Sequence, residues 1–451
     1  MSVRGLYFAG GREAELLIRG AHVLDPRTGL DGPGDVLVRG GEIAEVGAPG
    51  TLTVPADAET IDAEGLHLFP GFVDPHVHFR TPGQEHKEDL ATGTAAAAAG
   101  GFTAVIAMPN TAPTVDDASI LRSLREAAEL QARVPVGFLA AITRGLRGAE
   151  LTEMAELRDA GALGFTDDGR PVVSAGMLRR ALQYQRLCGG VLGLHEEDPS
   201  LSGAGVMHEG EVSARLGLAG IPSISESSFV ARDGMIAAYE GGRMHFQHLS
   251  AVQSVEALAY WKARGAQVSG EASPHHLTLT HEAVASLDSR FKMNPPLRSE
   301  QDRQALIAGL KDGTIDCIAT DHAPHAKHEK EVPFEEAPMG TTGLETSFAA
   351  VYTELVLPGV FSLGLLVEKL TSGAALWDIP TPRIAPGEPA NLALLDLEEE
   401  WVVGKDGYAS RSQNSSFHGR TLRGAVKLTI AAGTVAHNAL SSTADATGVT
   451  V

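Results

Sequence analysis

Two histidines and an arginine stand at alternate positions where an apolar run ends, in the segment GFVDPHVHFR of residues 71–80. If this run is a strand, His76, His78 and Arg80 project from one face, because side chains alternate along a strand. On a helix, positions two apart do not share a face. Adjacent imidazoles suit a metal ion and a guanidinium suits an anion, so the segment predicts a metal site beside an anion site. A histidine pair also occurs on solvated strands, so further ligands are needed.

Further polar side chains close the later β-like runs of the chain. They are Asn110 (AMPNT), Asp167 and Asp168 (GFTDDG), His195 (LGLHEED), His248 (FQHLS), Asn294 (KMNPPLR), and Asp321, His322 and His325 (IATDHAPH). In a barrel of parallel strands these ends meet at one mouth. An isolated histidine there is usually packed or hydrogen-bonded, but four histidines from three strands, together with aspartates, favour Zn²⁺ or a similar ion. A bridging carboxylate would leave room for two ions.

Such a centre is suited to hydrolysis. Divalent ions lower the pKa of a bound water from about 15.7 to roughly 7, so hydroxide is available at neutral pH. A neighbouring carboxylate can take the proton as hydroxide attacks and deliver it to a leaving nitrogen. Asp321, which closes the last β-like run, is the candidate for this catalytic role.

The elements that must position these residues alternate regularly. Short β-like runs are followed by Ala- and Leu-rich segments with charges at helical spacing, such as residues 120–132, 151–160 and 177–188. The β-like runs cover residues 66–79, 102–108, 134–142, 162–166, 190–194, 243–249, 266–272 and 315–320. Eight such units predict an α/β fold of the (β/α)₈ barrel type.

The two flanks of the chain have a different sequence pattern. Residues 15–47 and 389–437 carry short alternating strands broken by Gly, Pro and Asp turns. Neither flank is long enough for a full sandwich, so we predict one small β-sandwich domain composed of residues 1–65 and 380–451. The barrel would then occupy residues 66–379.

Composition excludes several classes of function. The formal net charge of −21 over 451 residues argues against nucleic acid or an anionic membrane as partner. The two cysteines, Cys188 and Cys317, support neither a disulfide framework nor a thiolate zinc site, and both are expected to be small buried residues. No apolar stretch approaches 18 residues and no secretory leader is evident, so a cytoplasmic protein is expected.

The strings GFVDPHVHFRTPG, GGFTAVIAMPNT, GFTDDG, KMNPPLR and DCIATDHAPH follow one another in a specific order. In that order the chain resembles, over essentially its whole length, the amidohydrolase superfamily and within it the type I dihydroorotases of bacteria. The resemblance implies a hydrolase of cyclic amides that interconverts (S)-dihydroorotate and N-carbamoyl-L-aspartate in de novo pyrimidine (UMP) synthesis. It also implies a homodimer and a possible association with aspartate transcarbamoylase.

Roles for individual residues follow from this resemblance. It implies that His76, His78 and Asp321 bind one zinc ion, that His195 and His248 bind a second, and that Asp168 bridges them. The residues alone do not distinguish Asp168 from Asp167, whose alternative role is a cap or turn. Residues 326–342 resemble a segment that closes over substrate. The implied substrate contacts are His78, Arg80, Asn110, Asn294, His325, and the backbone of Met339 and Gly340.

Two other functions compete with this prediction. A hydantoinase or allantoinase would share the metal chemistry, but such relatives typically carry a carbamylated lysine at the position of Asp168. A non-catalytic scaffold for aspartate transcarbamoylase would be expected to have lost metal ligands, and all six positions are filled here. Among the other histidines, a structural role is expected for His275 and His276, and surface or loop positions for His86, His208, His281, His328, His418 and His437.

Overall fold

The computed structural model of the chain describes residues 5–53 and 58–440. The strands are β1 (Leu16–Asp25), β2 (Leu30–Arg39), β3 (Glu42–Gly47), β4 (Glu59–Asp62), β5 (His67–Pro70), β6 (Phe72–Val77), β7 (Phe102–Ala107), β8 (Val136–Ala140), β9 (Gly164–Thr166), β10 (Leu192–Leu194), β11 (Met207–His208), β12 (Gly220–Ile221), β13 (Met244–Phe246), β14 (Val268–Ala272), β15 (Cys317–Ile318), β16 (Leu392–Val402), β17 (Thr421–Ala431) and β18 (Thr434–Asn438).

The α-helices lie mostly between the middle strands. They are α1 (Leu90–Ala99), α2 (Ala118–Gln131), α3 (Met154–Asp159), α4 (Ala175–Cys188), α5 (Pro199–Ser202), α6 (Glu211–Leu216), α7 (Ile224–Glu240), α8 (Val252–Lys262), α9 (Pro274–Thr278), α10 (Glu300–Asp312), α11 (Lys327–Lys330), α12 (Ser347–Val351), α13 (Leu363–Thr371) and α14 (Gly373–Leu376). Short 3₁₀ stretches lie at Arg144–Leu146, His281–Ser286 and Ser289–Phe291, and a π-helical stretch at Tyr352–Val356.

Eight parallel strands form the barrel, in the spatial order β6, β7, β8, β9, β10, β13, β14 and β15. The first and last meet through a bridge between Val77 and His322, and the His78 N–H donates to the His322 carbonyl at 2.9 Å. Each of these strands lies within one of the predicted β-like runs. The predicted (β/α)₈ barrel is therefore confirmed.

Alternation along β7 shows how the barrel is packed. Ala104 and Ile106 belong to an apolar cluster with the buried Trp377, inside the barrel. Val105 belongs instead to the cluster that includes Leu121 and Leu124 of α2, on the outside. A strand buried on both faces reads as a continuous apolar run, which is why these runs could be recognised in the sequence.

The helices begin and pack as their sequences suggest. The Asp117 side chain caps α2 by accepting the Ser119 N–H, which satisfies one of the free donors of the first turn. The buried residues of α2 recur at helical spacing and form the face that packs on the barrel: Ala118, Leu121, Leu124 and Ala128.

A second, mixed sheet draws on both chain ends, in the order β18, β17, β16, β5, β1, β2, β3, with β4 paired to β1. Antiparallel pairing of β5 with β16 joins the N-terminal strands to the C-terminal ones. Side chains from both ends share one core, including Ile18, Val36, Leu394 and Ile430. This confirms a small β unit built from both ends. The boundaries at 65/66 and 379/380 stay predictions, and residues 1–4, 54–57 and 441–451 of the predicted domain lie outside the described residues.

The first predicted β-like run, residues 66–79, proved to be two strands in different sheets. Its first part, β5, belongs to the terminal sheet, and its second part, β6, opens the barrel. Gly71 lies between them, where its N–H donates to the Asn391 carbonyl at 2.8 Å. A Cβ at this position would lie 2.1 Å from the Thr103 Cγ2, so only glycine fits where the chain changes sheets.

Membrane-spanning helices and the two cysteines were also the subject of predictions from the sequence. Among the described residues, no helix is long and apolar enough to cross a membrane. Both cysteines are free thiols, and Cys317 is buried in β15 as predicted. Cys188 is only half-buried, contrary to the prediction, because it ends α4 at the barrel surface.

Candidate metal centre and active site

The predicted metal ligands lie at the carboxyl ends of five barrel strands. All are buried: His76 and His78 at the end of β6, Asp168 after β9, His195 after β10, His248 after β13 and Asp321 after β15. These ends meet because the strands are parallel, so residues up to 245 positions apart, His76 and Asp321, come into contact.

A first group of predicted ligand atoms lies where the first barrel strand, β6, meets the last one, β15. The His78 Nε2 lies 3.0 Å from the Asp321 Oδ1, and the His76 Nε2 lies 3.5 Å from the same oxygen. The Asp168 carboxylate lies 3.6 Å from the His76 Nε2 and 3.4 Å from the His78 Nε2. The ligand atoms of His76, His78 and Asp321 thus lie close enough together to hold one ion, and the Asp168 carboxylate lies beside the two imidazoles.

A second group lies on the other side of Asp168. The His195 Nδ1 and the His248 Nε2 are 3.0 Å apart. The Asp168 Oδ1 lies 3.4 Å from the His248 Nε2 and 3.9 Å from the His195 Nδ1. Asp168 therefore contacts both groups, which is the position that a bridging ligand needs.

The structure distinguishes the two adjacent aspartates by their partners. Asp167 accepts the N–H groups of Ile142 and Thr143 and the Thr143 hydroxyl, so it holds the loop after β8. Burial raises the pKa of Asp167 to about 6. Asp168 points to the opposite side, among the histidines. Despite burial, His76 and His248 hold the pKa of Asp168 well below its usual value.

These residues fit a divalent metal ion. The buried His76 Nε2 has no hydrogen-bond donor or acceptor among the described residues, although it faces two carboxylates. Neutral imidazole nitrogens and carboxylate oxygens are the donors that Zn²⁺ takes in catalytic sites. Despite burial, the hydrogen bond from His78 and the nearby His76 lower the pKa of Asp321 to about 2, so Asp321 is ionised at neutral pH.

Glu271, in β14, contacts two of the predicted metal ligands, His76 and His248, on the side away from the cavity. Its Oε1 accepts from the His76 Nδ1 at 2.6 Å and from the His248 N–H at 3.1 Å, while its Oε2 accepts from the His245 Nε2 at 2.9 Å. A proton on the His76 Nδ1 leaves the Nε2 lone pair free for a metal ion. Hydrogen bonds of this kind fix the tautomer and the ring orientation of metal ligands.

Glu271→Gln is expected to weaken metal binding by about 10- to 100-fold, as the loss of such outer partners typically does. Glutamine replaces one of the two accepting oxygens with an NH₂ group, so His76 and His245 cannot both be satisfied. Competition with a chelator measures the affinity, and Glu256→Gln on the exposed face of α8 is the matched control. Equal metal affinity in the two variants would contradict this role.

Glu197 supports the second group of ligands in the same way. Its Oε2 lies 3.1 Å from the His195 Nε2 and accepts from the Asn294 Nδ2 at 2.7 Å. Despite partial burial, the contact with His195 lowers the pKa of Glu197 to about 2. The Asn294 amide therefore lies beside a predicted metal ligand, His195, as well as beside the cavity.

All seven predicted substrate-contacting residues line one cavity of about 290 Å³, together with five of the six predicted metal ligands. The complete lining is His78, Arg80, Asn110, Asp168, Gly169, His195, His248, Asn294, Asp321, Ala323, His325, Met339 and Gly340. A larger cleft of about 710 Å³ lies elsewhere, against residues 9–16, and it contains none of the predicted site residues.

Arg80 provides the cationic group of this cavity. It is buried, and its Nε donates to the Pro324 carbonyl at 3.1 Å. Within residues 5–53 and 58–440, no carboxylate lies within 4.0 Å of its guanidinium. Burial lowers the pKa of Arg80, against the opposing effect of Asp321 and Asp168. A buried guanidinium without an ion pair suits an anionic ligand.

Asn110 contacts two of the predicted metal ligands. Its Oδ1 accepts from the His78 Nδ1 at 2.9 Å, and its Nδ2 donates to the Asp168 carboxylate at 3.3 Å. The sequence predicted a substrate contact only. The structure adds a positioning contact that turns the His78 Nε2 toward Asp321.

The predicted closing segment forms one wall of the cavity. The His325 Nε2 donates to the Met339 carbonyl at 2.8 Å, and the Gly340 N–H donates to the Lys292 carbonyl at 2.9 Å. Gly340 has a φ of 140°, and a Cβ there would lie 2.9 Å from the His325 Nε2 and from Ala323. Burial, together with Arg80 and Lys330, lowers the pKa of His325 to about 2, so this imidazole is neutral.

Three residues of the site adopt left-handed backbone conformations that are uncommon outside glycine. The φ angles are 57° at Arg80, 33° at His248 and 47° at Asp321. Such residues cost about 1–3 kcal/mol each and persist where the surrounding structure holds them. Each of them turns the chain directly after a barrel strand, at the point where its side chain enters the cavity.

The other histidines behave mostly as predicted. His275 and His276 are buried and share the Ser273 hydroxyl. His322, which also closes the last strand, contacts Glu88 at 3.3 Å and does not line the cavity. His86, His328 and His418 are exposed, and His281 and His437 are partly buried.

His208 was predicted at the surface, and this prediction was wrong. It is buried in the short pair of strands β11 and β12, where its Nδ1 lies 3.4 Å from the Arg298 guanidinium. Burial and the Arg298 charge lower its pKa to about 4.

Sequence reasoning missed Glu271 and Glu197. A signal existed for each: Glu271 is the one charged residue of the β-like run 266–272, and Glu197 follows the predicted ligand His195 by two residues. Buried acids in such positions need a partner, and a histidine ligand is a suitable one.

Solved structures share this architecture across nearly the whole chain. The L-hydantoinase of Arthrobacter aurescens matches with a TM-score of 0.83 and 26% identity, covering 94% of this chain and 96% of that one. A dihydropyrimidinase from Brevibacillus agri NCHU1002 has the same fold, with a TM-score of 0.80 at 23% identity, covering 93% and 94%. With histidines and aspartates gathered at the barrel mouth, the fold and site define a metal-dependent hydrolase of the amidohydrolase class.

Sequence comparison shows to which family within this class the chain belongs. Residues 65–254 match the family model described as dihydro-orotase-like. A dihydroorotase of Pelotomaculum thermopropionicum is 46% identical over 93% of this chain and 98% of its own length. A dihydroorotase of Anaeromyxobacter sp. (strain K) is 47% identical over 94% and 98%. The chain belongs to the dihydroorotase family.

Proposed function

We propose that this chain catalyses the reversible hydrolysis of (S)-dihydroorotate to N-carbamoyl-L-aspartate, a cyclic amide hydrolysis in de novo UMP synthesis. The observation that carries the proposal is a single cavity in which Arg80, which has no ion pair among the described residues, lies beside the cluster of histidines and aspartates. A cyclic amide that carries a carboxylate can place the carboxylate against Arg80 and the amide against the histidines and aspartates. Membership of the dihydroorotase family supports the same substrate.

We propose Zn²⁺ as the metal, with one or two ions in each subunit. His76, His78 and Asp321 would hold one ion, His195 and His248 would hold the other, and Asp168 would bridge them. When bound, such ions polarise the amide carbonyl and make hydroxide available at neutral pH. The mixed imidazole and carboxylate donor set supports zinc over magnesium, which prefers oxygen ligands alone.

Asp321 is the proposed proton carrier. Hydrolysis adds a hydroxyl group to the amide carbon and a proton to the ring nitrogen as the C–N bond breaks. Asp321 is ionised at neutral pH and lines the cavity, so it can accept the proton of the attacking water and deliver it to that nitrogen. In the reverse direction, Asp321 takes the proton back from the nitrogen as the ring closes.

The remaining cavity residues are proposed to bind and orient the substrate. Arg80, Asn110 and Asn294 are suited to the substrate carboxylate, because they offer a charged donor and two amide groups. His78 and the neutral His325 are proposed to contact the substrate as well. The backbone N–H and C=O of Gly340 already have partners within the chain. Its proposed contact is therefore through the Cα, beside the backbone of Met339.

Arg80→Met is expected to raise the KM for dihydroorotate by about 10- to 100-fold, because a hydrogen bond to a charged group contributes about 1.5–3 kcal/mol. The kcat should change less than the KM, since Arg80 binds the carboxylate in ground and transition states alike. Steady-state kinetics on metal-loaded protein measure both. Arg170→Met on the exposed loop after β9 is the control. An unchanged KM would exclude Arg80 as the carboxylate anchor.

A side-by-side assay tests the proposed function. Purified, metal-loaded protein is given dihydroorotate, 5-substituted hydantoins and allantoin under one set of conditions, and dihydroorotate is expected to be the preferred substrate. If the protein turns over hydantoins but not dihydroorotate, the second candidate function, a hydantoinase, is favoured. The likeness to the L-hydantoinase structure supports that candidate. Protein that binds no metal and turns over none of these compounds would favour a scaffold.

The proposed assembly is a homodimer. Association with aspartate transcarbamoylase and a cytoplasmic location also stay predictions. Light scattering on the purified chain, alone and mixed with the transcarbamoylase of the same organism, distinguishes monomer, dimer and mixed complex.

A further inference from the structure

Lys330, at the end of α11, is a buried lysine whose ammonium group contacts only backbone oxygens. Its Nζ donates to the carbonyls of Pro338 at 2.8 Å, Gly340 at 3.0 Å and Lys292 at 3.3 Å. Three donors meet three acceptors, so the group is fully satisfied. In the described part of the chain, no carboxylate lies within ion-pairing distance of this ammonium.

The three carbonyls belong to the two segments that form one side of the substrate cavity. Pro338 and Gly340 flank Met339, and the Lys292 carbonyl precedes Asn294 by two residues. The Gly340 N–H donates to the same Lys292 carbonyl, so Lys330 completes a junction between the segments. Lys330 lies behind the wall and does not line the cavity.

The charge at this junction is costly to bury. Desolvation and the neighbouring Lys292 lower the pKa of Lys330 to about 7, against the opposing effect of Asp288 and Glu329. A buried ammonium held only by dipoles contributes less to stability than an apolar side chain of the same size would. It does fix the geometry, because three carbonyls that face one point need a group with several N–H donors between them.

We propose that Lys330 is a positioning residue, which holds the 338–340 wall against the Asn294 segment and so preforms the binding cavity. The proposal rests on the proposed function for its substrate. Lys330 touches none of the proposed metal ligands, so it acts on substrate binding and leaves the metal centre as it is.

Lys330→Met tests this, with Lys327→Met as the matched control, because Lys327 lies on the same short helix with its side chain exposed. We expect the KM for dihydroorotate to rise by about tenfold or more in Lys330→Met, with the kcat and the zinc content near wild type. Hydrogen exchange of the peptide spanning residues 331–342 should become faster in Lys330→Met and stay unchanged in Lys327→Met.

Chemical rescue separates a positioning role from a general structural one. Lys330→Cys treated with 2-bromoethylamine regains an ammonium of nearly the same length, and it should recover a KM near that of wild-type protein treated identically. A KM and an exchange rate unchanged by Lys330→Met would overturn the proposal, as would a failure of the modified Cys variant to recover. If wild-type protein does not turn over dihydroorotate, the proposed function fails, and hydrogen exchange alone then decides the role of Lys330.

Discussion

Asp321→Asn is expected to lower the kcat for dihydroorotate by about 10²- to 10⁴-fold, the usual contribution of a positioned general acid–base group. Asparagine has the same shape but cannot accept the proton of the attacking water. The substitution also removes the charge 3.0 Å from the His78 Nε2 and 3.5 Å from the His76 Nε2, so metal affinity should fall as well. The measurement is the kcat at saturating substrate, in both directions, with zinc in excess.

Asp316→Asn is the matched control for this variant. Asp316 lies just before β15, pairs with Lys262 on the outside of the barrel and does not reach the cavity. Its kcat is expected to stay near wild type. The assignment of Asp321 would be wrong if a zinc-loaded Asp321→Asn protein kept more than about a tenth of the wild-type kcat, since a missing general base costs far more.

Removal of the metal is expected to abolish turnover and to lower the melting temperature. Without ions, the carboxylates of Asp168 and Asp321 stay buried without a metal charge to stabilise them, and the His76 Nε2 has no hydrogen-bond partner in the described part of the chain. An ion that binds only the folded chain stabilises it by about 2.7 kcal/mol at a concentration of 100 Kd and about 4.1 kcal/mol at 1,000 Kd. One preparation is dialysed against a chelator and its metal content is measured. A thermal melt then gives the melting temperature, and the dihydroorotate assay gives the turnover.

Re-addition of single metals identifies the ion. Zinc is expected to restore both activity and melting temperature, and magnesium to restore neither. Asp168→Ala protein is the control, because it lacks the carboxylate that is proposed to bridge the ions, and its melting temperature should respond less to the chelator. Full turnover by metal-free protein would exclude a catalytic metal.

Most of the fold was predictable because the barrel strands are buried on both faces. The run FTAVIA of β7 has no polar side chain larger than threonine, and such runs are visible without knowing their partners. The helices between them carry caps and apolar stripes that are equally local. The terminal sheet was predicted as a unit, but its joining strand was not. Gly71 divides β5 from β6 only because Thr103 lies against it, and that contact comes from a distant part of the chain.

The candidate site was predictable to a similar extent. Residues that end strands were identified because parallel strands place their carboxyl ends together. The choice between Asp167 and Asp168 depended on the loop after β8, whose N–H groups take up Asp167, and no local pattern shows this. His208 was misplaced for the same reason, since Arg298 reaches it from 90 residues away.

The sheet built from both chain ends also fixes the order of events during synthesis. The Ile384 N–H donates to the Asp25 carboxylate across 359 residues, so the first strands made must wait for the last before their sheet is complete. His76 emerges from the ribosome early and Asp321 late, and contacts so distant in sequence form slowly. A nascent chain therefore lacks one of its six proposed metal ligands until residue 321 has been added. The complete set of proposed ligands is therefore expected to form only late in synthesis, close to the release of the chain from the ribosome.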